Sequence, residues 1–426
     1  MARAAPAGDA FAVVRKRMQS MTTYPQNNRV SRTPRRSFAA STRRFTGSIE
    51  DLVATLKPQH PLYVLRPEDL ARTAREFTDL FPGDVMYATK CNPEKIVLQT
   101  LYKSGVKSFD VASIEETRLA AQAAPKAKLY FMHPVKSPEA IREAYEVHGV
   151  RAFVLDTQEE LYKILQQTNF ASDLELFVRM SAPKNGDASI DFSSKFGAAP
   201  DDTALLLQQC RPVAVRLGLC FHVGTQTISP APYVLAINMA ATVIGKSGVK
   251  IDFLDIGGGF PATYPGQTTP SPLPQFMKSI VNALKKCGLS KIPLLAEPGR
   301  ALVANSTTLV VRVEQRRDDL LYINDGTYGG LFDAGPTLNQ RFPVRLIRWE
   351  GVQHPQTLPF RMTGPTCDAL DMMAGPFELS TDIKTGDWIE IGNAGAYSRG
   401  LRGNFNGFGE SKMVALYERS SADVSA

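Results

Sequence analysis

A (β/α)8 barrel of parallel strands, followed by a mainly antiparallel β domain, is the architecture predicted for this 426-residue chain. Eight apolar runs of strand length, most of them separated by a helical pattern, carry the barrel. A change of texture after Arg300, where strands follow one another across turn residues, carries the second domain. The length agrees, because a single core rarely grows past about 250–300 residues.

The first strand signal is PLYVL (61–65), which precedes the barrel and can add a strand to the second domain. The helix after Arg66 opens on Pro67, repeats Leu70, Ala74, Phe77 and Phe81, and stops at Pro82. The barrel strands begin with VMYAT (85–89), SFDVA (108–112), KLYFM (128–132) and RAFVLD (151–156). They continue with LELFVRM (174–180), RLGLCFHV (216–223), IDFLDI (251–256) and IPLLAE (292–297). Asn92-Pro93 and Gly105 bracket one intervening helix, and Ser113 with Glu116 forms a capping box for the next. A doubly wound sheet is the main rival, but it usually ends at five or six strands. Beyond Arg300 the strands are TTLVVRV (307–313), LLYIND (320–325), FPVRLIR (342–348) and DWIEIGN (387–393). The expected boundaries are 66–305 for the barrel and 47–65 with 306–426 for the β domain.

Residues 1–46 stand outside both domains as a basic extension, expected to be disordered. Up to Gly47 there are ten Lys/Arg against one acid, Asp9, which accounts for the net charge of +7; the remainder holds 39 basic and 41 acidic residues. The extension reads as a solvated tail, as an upstream start with Met18 or Met21 opening the chain, or as an organelle presequence. A near-neutral body argues against nucleic acid as a partner, and no apolar run is long enough to span a bilayer. Five cysteines without C-x-x-C spacing (Cys91, Cys210, Cys220, Cys287, Cys367) predict reduced thiols in the cytoplasm, with no metal site.

A barrel of this kind places its chemistry at the carboxyl ends of the strands. In strand order that rim holds Lys90, Asp110, His133, Asp156, Arg179, His222, Gly257-Gly258-Gly259, and Glu297 followed by Gly299 and Arg300. Three glycines after the seventh strand bare backbone N–H groups for a phosphate, although a flexible loop would look the same. Lys90 is an ordinary rim amine or, if partly desolvated, a nucleophile of lowered pKa that can form a Schiff base with an aldehyde. With a phosphate cradle across the rim, that aldehyde is pyridoxal phosphate. The cofactor needs an acid at its ring nitrogen, which Glu297 can supply if it is not merely paired with Arg300. His222 is either a satisfied core histidine or a flat ring to stack on another. Glu116 is already explained by its cap, and Cys367 read alone is a buried structural thiol.

Ten stretches, in order, resemble the fold-type III pyridoxal-phosphate decarboxylases of basic amino acids, an alanine racemase-like fold type, and among them the ornithine decarboxylases. They are YATKCNP (87–93), FDVAS (109–113), SSKFGA (193–198), FHVGTQ (221–226), LDIGGGFP (254–261), AEPGR (296–300), YINDGTYG (322–329), GPTCDALD (364–371), GAYS (395–398) and FNGF (405–408). The resemblance implies that Lys90 carries the cofactor, that Glu297 meets its ring nitrogen and that His222 stacks on it. It implies cofactor-binding positions at Thr225, Gly257 to Gly259, Gly299, Arg300 and Tyr397, with Asp110, Glu116 and Arg179 nearby. It also implies a homodimer with shared sites, in which Cys367 donates a proton to the α-carbon and Asp368 holds the substrate's distal ammonium. Lys195 and Asp371 then match a cross-subunit ion pair, and Phe405 and Asn406 belong to the same interface.

Substrate choice rests on the far end of the site. Asp368, with Asp333 in LFDAG (331–335) and with Tyr328 and Phe405, favours a diamine-forming reaction on ornithine or lysine. A diaminopimelate decarboxylase would need an arginine-type partner for a second carboxylate. The segment between Tyr328 and Asp333 is shorter than the family's. An inactive regulatory homologue would show a damaged site, and a racemase would need a second base in place of CDALD.

Overall fold

The computed structural model describes residues 42–183, 186, 195–348 and 353–418. Residues 1–41, with both alternative starts, and Ser193 and Ser194 of the SSKFGA stretch lie outside the described residues. Three elements precede the barrel: strand β1 (Arg43–Thr46), helix α1 (Ile49–Leu56) and strand β2 (Leu62–Leu65). Helix α2 (Pro67–Leu80) has Pro67 in its first turn with Glu68 and Asp69, which complement the positive end of the helix dipole. It buries Leu70, Ala74 and Phe77, the last meeting Phe260 edge-on at 5.1 Å between ring centres.

The barrel strands are β3 (Asp84–Ala88), β4 (Ser108–Val111), β5 (Lys128–Phe131) and β6 (Ala152–Leu155). They continue as β7 (Glu175–Arg179), β8 (Arg216–Cys220), β9 (Phe253–Asp255) and β10 (Leu294–Ala296). All neighbours are parallel, helices alternate with the strands, and β10 pairs with β3 to close the cylinder. The eight predicted runs are therefore the eight barrel strands.

Met86, Tyr130, Ala152, Val154, Phe177, Cys220 and Leu295 fill the interior. A β-carbon on Gly218 would lie 2.4 Å from the Phe177 ring, so glycine at that position makes room for the phenylalanine beside it. In-register pairing then fixes which later residues point inward. Asp110 sits opposite Tyr130, and Asp255 sits opposite both Cys220 and Leu295. The interior thus passes from apolar side chains to carboxylates toward the strand ends.

The second sheet contains β11 (Thr307–Arg317), β12 (Leu320–Ile323), β13 (Val344–Ile347) and β14 (Thr357–Thr363). Its last strands are β15 (Met372–Ser380), β16 (Trp388–Ile391) and β17 (Lys412–Tyr417). Strand order is β1-β17-β2-β11-β12-β14-β15, with β16 bridging β11 and β13. PLYVL joins this sheet as β2, antiparallel to β11.

One expectation is corrected here. The extension was expected to be disordered through residue 46, but Arg43–Thr46 is strand β1, paired in parallel with Val414–Tyr417. Backbone pairing and an Arg44 guanidinium 4.0 Å above the Tyr417 ring hold it, neither of which needs an apolar pattern. Among the described residues no helix is long and apolar enough to cross a membrane.

Candidate active site

Lys90 lies in a one-turn 3-10 helix, Thr89–Cys91, directly after β3. Its Nζ donates to Asp110 Oδ2 at 2.7 Å, and its side chain stays 42% exposed while Asp110 is 1% exposed. The amine is therefore steered by a buried carboxylate and still open to a reactant. Burial pulls its pKa down, but Asp110, then Tyr397 and Glu297, more than offset this and hold it above the ordinary lysine value. The expectation of a lowered pKa is corrected: it considered desolvation and left out the acid 20 residues downstream that β4 brings alongside.

His222 accepts the Gly224 N–H through Nδ1 at 3.0 Å. Burial, then the charges of Arg179 and Lys90, push its pKa well below the usual value, so the imidazole is neutral. Glu297 directly follows β10, beside Asp255 at the end of the neighbouring strand β9. Burial, then Asp255 and Asp110, hold the Glu297 carboxyl well above the carboxylate range. Glu297 is not the partner of Arg300. The Arg300 guanidinium is 7% exposed and donates to Tyr264 Oη and to Asp333 Oδ2, each at 2.9 Å, with the Tyr397 ring 5.1 Å away.

The glycine turn is tight. Gly257 has φ +69° and Gly259 φ +105°, and a β-carbon on Gly257 would lie 2.2 Å from the Phe221 carbonyl oxygen. Gly258 is closed in the same way by the Glu297 carbonyl at 2.5 Å. Gly299 precedes the short helix that begins at Arg300, and a β-carbon there would meet Cys91 at 3.0 Å. Thr225 is half-buried in the loop after β8, within the same strand-end rim. The Tyr397 N–H donates to the Cys91 carbonyl at 2.9 Å, which brings the second domain onto this rim.

Of the remaining rim residues, Asp156 accepts the Gly197 N–H at 2.9 Å, and the Arg179 guanidinium lies 5.1 Å from the Phe196 ring. Glu116 is a cap of a different kind from the box expected. Ser113 Oγ accepts the Glu116 N–H, but Glu116 Oε2 takes the Ala112 N–H at 2.7 Å rather than that of Ser113.

Cys367, Asp368, Tyr328, Phe405 and Asn406 form a second cluster. Tyr328 Oη donates to Asp368 Oδ2, and the Leu370 N–H donates to Asp368 Oδ1 at 2.9 Å. The Leu370 N–H, then the tyrosine, hold the Asp368 carboxyl below its ordinary range. The Cys367 thiol donates to Asn406 Oδ1 at 3.3 Å, and the Tyr328 and Phe405 rings are 4.9 Å apart. Cys367 is exposed, which corrects its reading as a buried thiol: it sits on a loop between β14 and β15 and in no core.

Two further expectations meet a different arrangement. Asp333 is buried and committed to Arg300, so the short segment after Tyr328 turns it toward the glycine rim. Asp371 is fully buried. Its oxygens accept from Thr327 N–H (2.7 Å) and Oγ1 (3.1 Å), and from Thr366 N–H (3.1 Å) and Oγ1 (2.7 Å). With four donors inside its own chain it braces the Cys367 loop, and it has no exposed oxygen for Lys195, which is itself exposed 5.0 Å from the Phe196 ring. Reading the sequence also missed Asp255 and Tyr264. Asp255 lies inside the quoted LDIGGGFP stretch, where an acid ending a buried strand was itself a signal.

These residues fit pyridoxal phosphate. An accessible amine faces a buried carboxyl and a neutral imidazole, beside a glycine turn. Asp110 Oδ1 and Arg300 Nε are buried polar atoms that the fold leaves without a partner.

Known proteins agree. Residues 68–304 match the model of the pyridoxal-dependent decarboxylase family's pyridoxal-binding domain. An ornithine decarboxylase of Schizosaccharomyces pombe is 32% identical over 78% of this chain and 77% of its own. Antizyme inhibitor 2 of Xenopus laevis is 28% identical over 87% and 84%. The crystal structure of a lysine/ornithine decarboxylase from Vibrio vulnificus, complexed with putrescine, superposes with a TM-score of 0.73 at 30% identity, covering 86% of this chain and 98% of that one. The chain belongs to the pyridoxal-dependent decarboxylases, as an ornithine decarboxylase-like enzyme that takes pyridoxal phosphate as its cofactor.

Proposed function

We propose that this enzyme decarboxylates L-ornithine to putrescine and CO2, turns over L-lysine more slowly, and works as a homodimer whose subunits share their sites. The observation that carries the substrate is Asp368, an anion fixed by the Tyr328 hydroxyl beside the Cys367 thiol. A fixed carboxylate suits a distal ammonium and repels the second carboxylate of diaminopimelate. With Asp333 tied to Arg300, Asp368 reads the distal group alone.

When bound, pyridoxal phosphate supplies the electron sink for breaking the bond to CO2. Lys90 Nζ would bind the cofactor, and Asp110, which accepts from that nitrogen, would set the direction of its approach. Glu297 would meet the ring nitrogen, His222 would stack on the ring, and the glycine turn with Arg300 would hold the phosphate. Cys367 Sγ keeps its proton against Asn406 and delivers it to the α-carbon once CO2 has left. Phe405, Phe408 and Leu370, at 44%, 47% and 62% exposure, add apolar surface suited to a second subunit.

The kinship with an antizyme inhibitor favours one second reading, a regulatory homologue without turnover. Against it, Lys90, Glu297, Cys367 and Asp368 are all present. The test is CO2 release from L-ornithine, L-lysine, L-arginine and meso-diaminopimelate by the cofactor-loaded protein. We expect ornithine to lead lysine by about 10- to 100-fold, since one methylene is worth about 1–3 kcal/mol. A lead by diaminopimelate would overturn the reading of Asp368. No turnover of any substrate would leave the regulatory reading or a racemase.

A further inference from the structure

Asp325 and Arg402 form a buried ion pair, their side chains 2% and 5% exposed, and have no part in the mechanism above. Asp325 follows β12, and its Oδ1 accepts the N–H groups of Gly326 at 2.9 Å and Gly330 at 3.1 Å. Those two bonds close the turn that carries Tyr328. Arg402 reaches this turn from the other end of the β domain. Its Nη2 donates to Asp325 Oδ2 and, at 3.4 Å, to the hydroxyl of the fully buried Tyr63, while Nη1 donates to the Phe408 carbonyl at 3.4 Å.

One guanidinium therefore clamps the turn 325–330 to the segment 403–408, and the Gly403 N–H adds a bond to the Tyr328 carbonyl at 2.9 Å. Residues 403–408 are all exposed, so the buried Arg402 at their root is what fixes them. Within that segment Asn406 has φ +51°, a left-handed conformation that a residue with a side chain keeps only where its surroundings impose it. Asn406 Oδ1 is the acceptor for both the Cys367 N–H at 3.2 Å and the Cys367 thiol at 3.3 Å.

We propose that Arg402, through its pair with Asp325, is a positioning residue for proton delivery: it holds Asn406 where it aims the Cys367 thiol, so that the proton reaches the α-carbon from one face. The electron pair of the bond to CO2 becomes the new C–H bond, and solvent restores the thiol proton. The inference rests on Cys367 being the donor.

The test runs decarboxylation of L-ornithine in D2O with the cofactor-loaded wild type, Arg402→Met, Arg402→Lys and Cys367→Ala, and reads kcat and the configuration of the deuterated carbon in the diamine. An aimed thiol places deuterium on one face, whereas unguided water places it on both. A variant that is merely less stable has fewer active molecules, but each of them still gives one configuration. Wild type should give a single configuration. Arg402→Met should give a mixture, with kcat lower by about tenfold, part of the roughly 100- to 10,000-fold that a positioned proton donor contributes. Arg402→Lys keeps a cation for Asp325 but not the planar fork that spans Asp325 and the Phe408 carbonyl, and should give a smaller share of the second configuration. A single configuration from Arg402→Met overturns the proposal; if that variant does not fold, a single configuration from Arg402→Lys overturns it. If Cys367→Ala still gives one configuration, or wild type gives a mixture, the donor assignment falls and takes the proposal with it. A mixture from Cys367→Ala beside a single configuration from Arg402→Met sinks Arg402 alone.

Discussion

Two rim lysines, Lys90 and Lys136, differ in their surroundings, and the difference divides chemistry from architecture. Lys90 meets one carboxylate, Asp110, and remains 42% exposed. Lys136, in the loop after β5, has a side chain that is 0% exposed, with Nζ 2.8 Å from Glu160 and donating to the carbonyls of His133 and Val154. Burial outweighs Glu160 there and pushes the Lys136 pKa down to about 8, whereas Asp110 and its neighbours raise that of Lys90. Ranked by pKa alone, Lys136 is the better nucleophile at neutral pH. Access reverses the ranking, because every proton of Lys136 is engaged and no reactant reaches it. A perturbed pKa marks a site only together with an open approach.

Three experiments sharpen or break this contrast. The largest effect is expected for Lys90→Ala, which should lose decarboxylation by at least about 1000-fold and leave no pyridoxal phosphate fixed to the protein by borohydride. Mixed with Cys367→Ala, it should regain part of the activity through heterodimers with one intact site. Fixation retained in Lys90→Ala but lost in Lys136→Met would exchange the two roles.

Lys136→Met should keep borohydride fixation but lose about 3 kcal/mol of stability in urea unfolding, the low end for an opened buried pair, because Lys163 still meets Glu160 at 2.6 Å. The pH dependence has a definite sign. The folded pKa of about 8 lies below the unfolded value of about 10.4, so the contribution of Lys136 is complete above the unfolded value and is lost as pH falls through the folded one. Wild type should therefore gain on Lys136→Met between about pH 8 and pH 10. An unchanging difference would mean that Lys136 stays charged throughout.

The smallest effect is expected for Asp110→Asn, which leaves a weaker neutral acceptor for Lys90. Its kcat should fall by about tenfold with little change in melting temperature. A loss as deep as that of Lys90→Ala would make Asp110 a reacting group and not a guide.

The barrel was legible because each strand is a short apolar run that stands out without a partner, and because the architecture says where its chemistry lies. The second sheet was legible in part. β14 carries Pro359 and β15 carries Gly375-Pro376, which break a strand pattern in sequence although pairing overrides them. β1 is largely exposed and basic, and reads as tail until β17 is placed beside it. In the site, residue types at strand ends were readable one at a time. What was not readable were pairings made across the fold: Lys90 with Asp110, Arg300 with Asp333, and the four donors that enclose Asp371.

Strand β17 lies between β1 and β2, which come some 350 residues earlier in the chain. During synthesis the barrel from β3 to β10 is a contiguous stretch that can close while the chain is still being made. The β domain has no such freedom, because its sheet is missing a strand until Tyr417 has emerged. Until then β1 and β2 each keep an open hydrogen-bonding edge where β17 will lie, an edge at which another chain could pair.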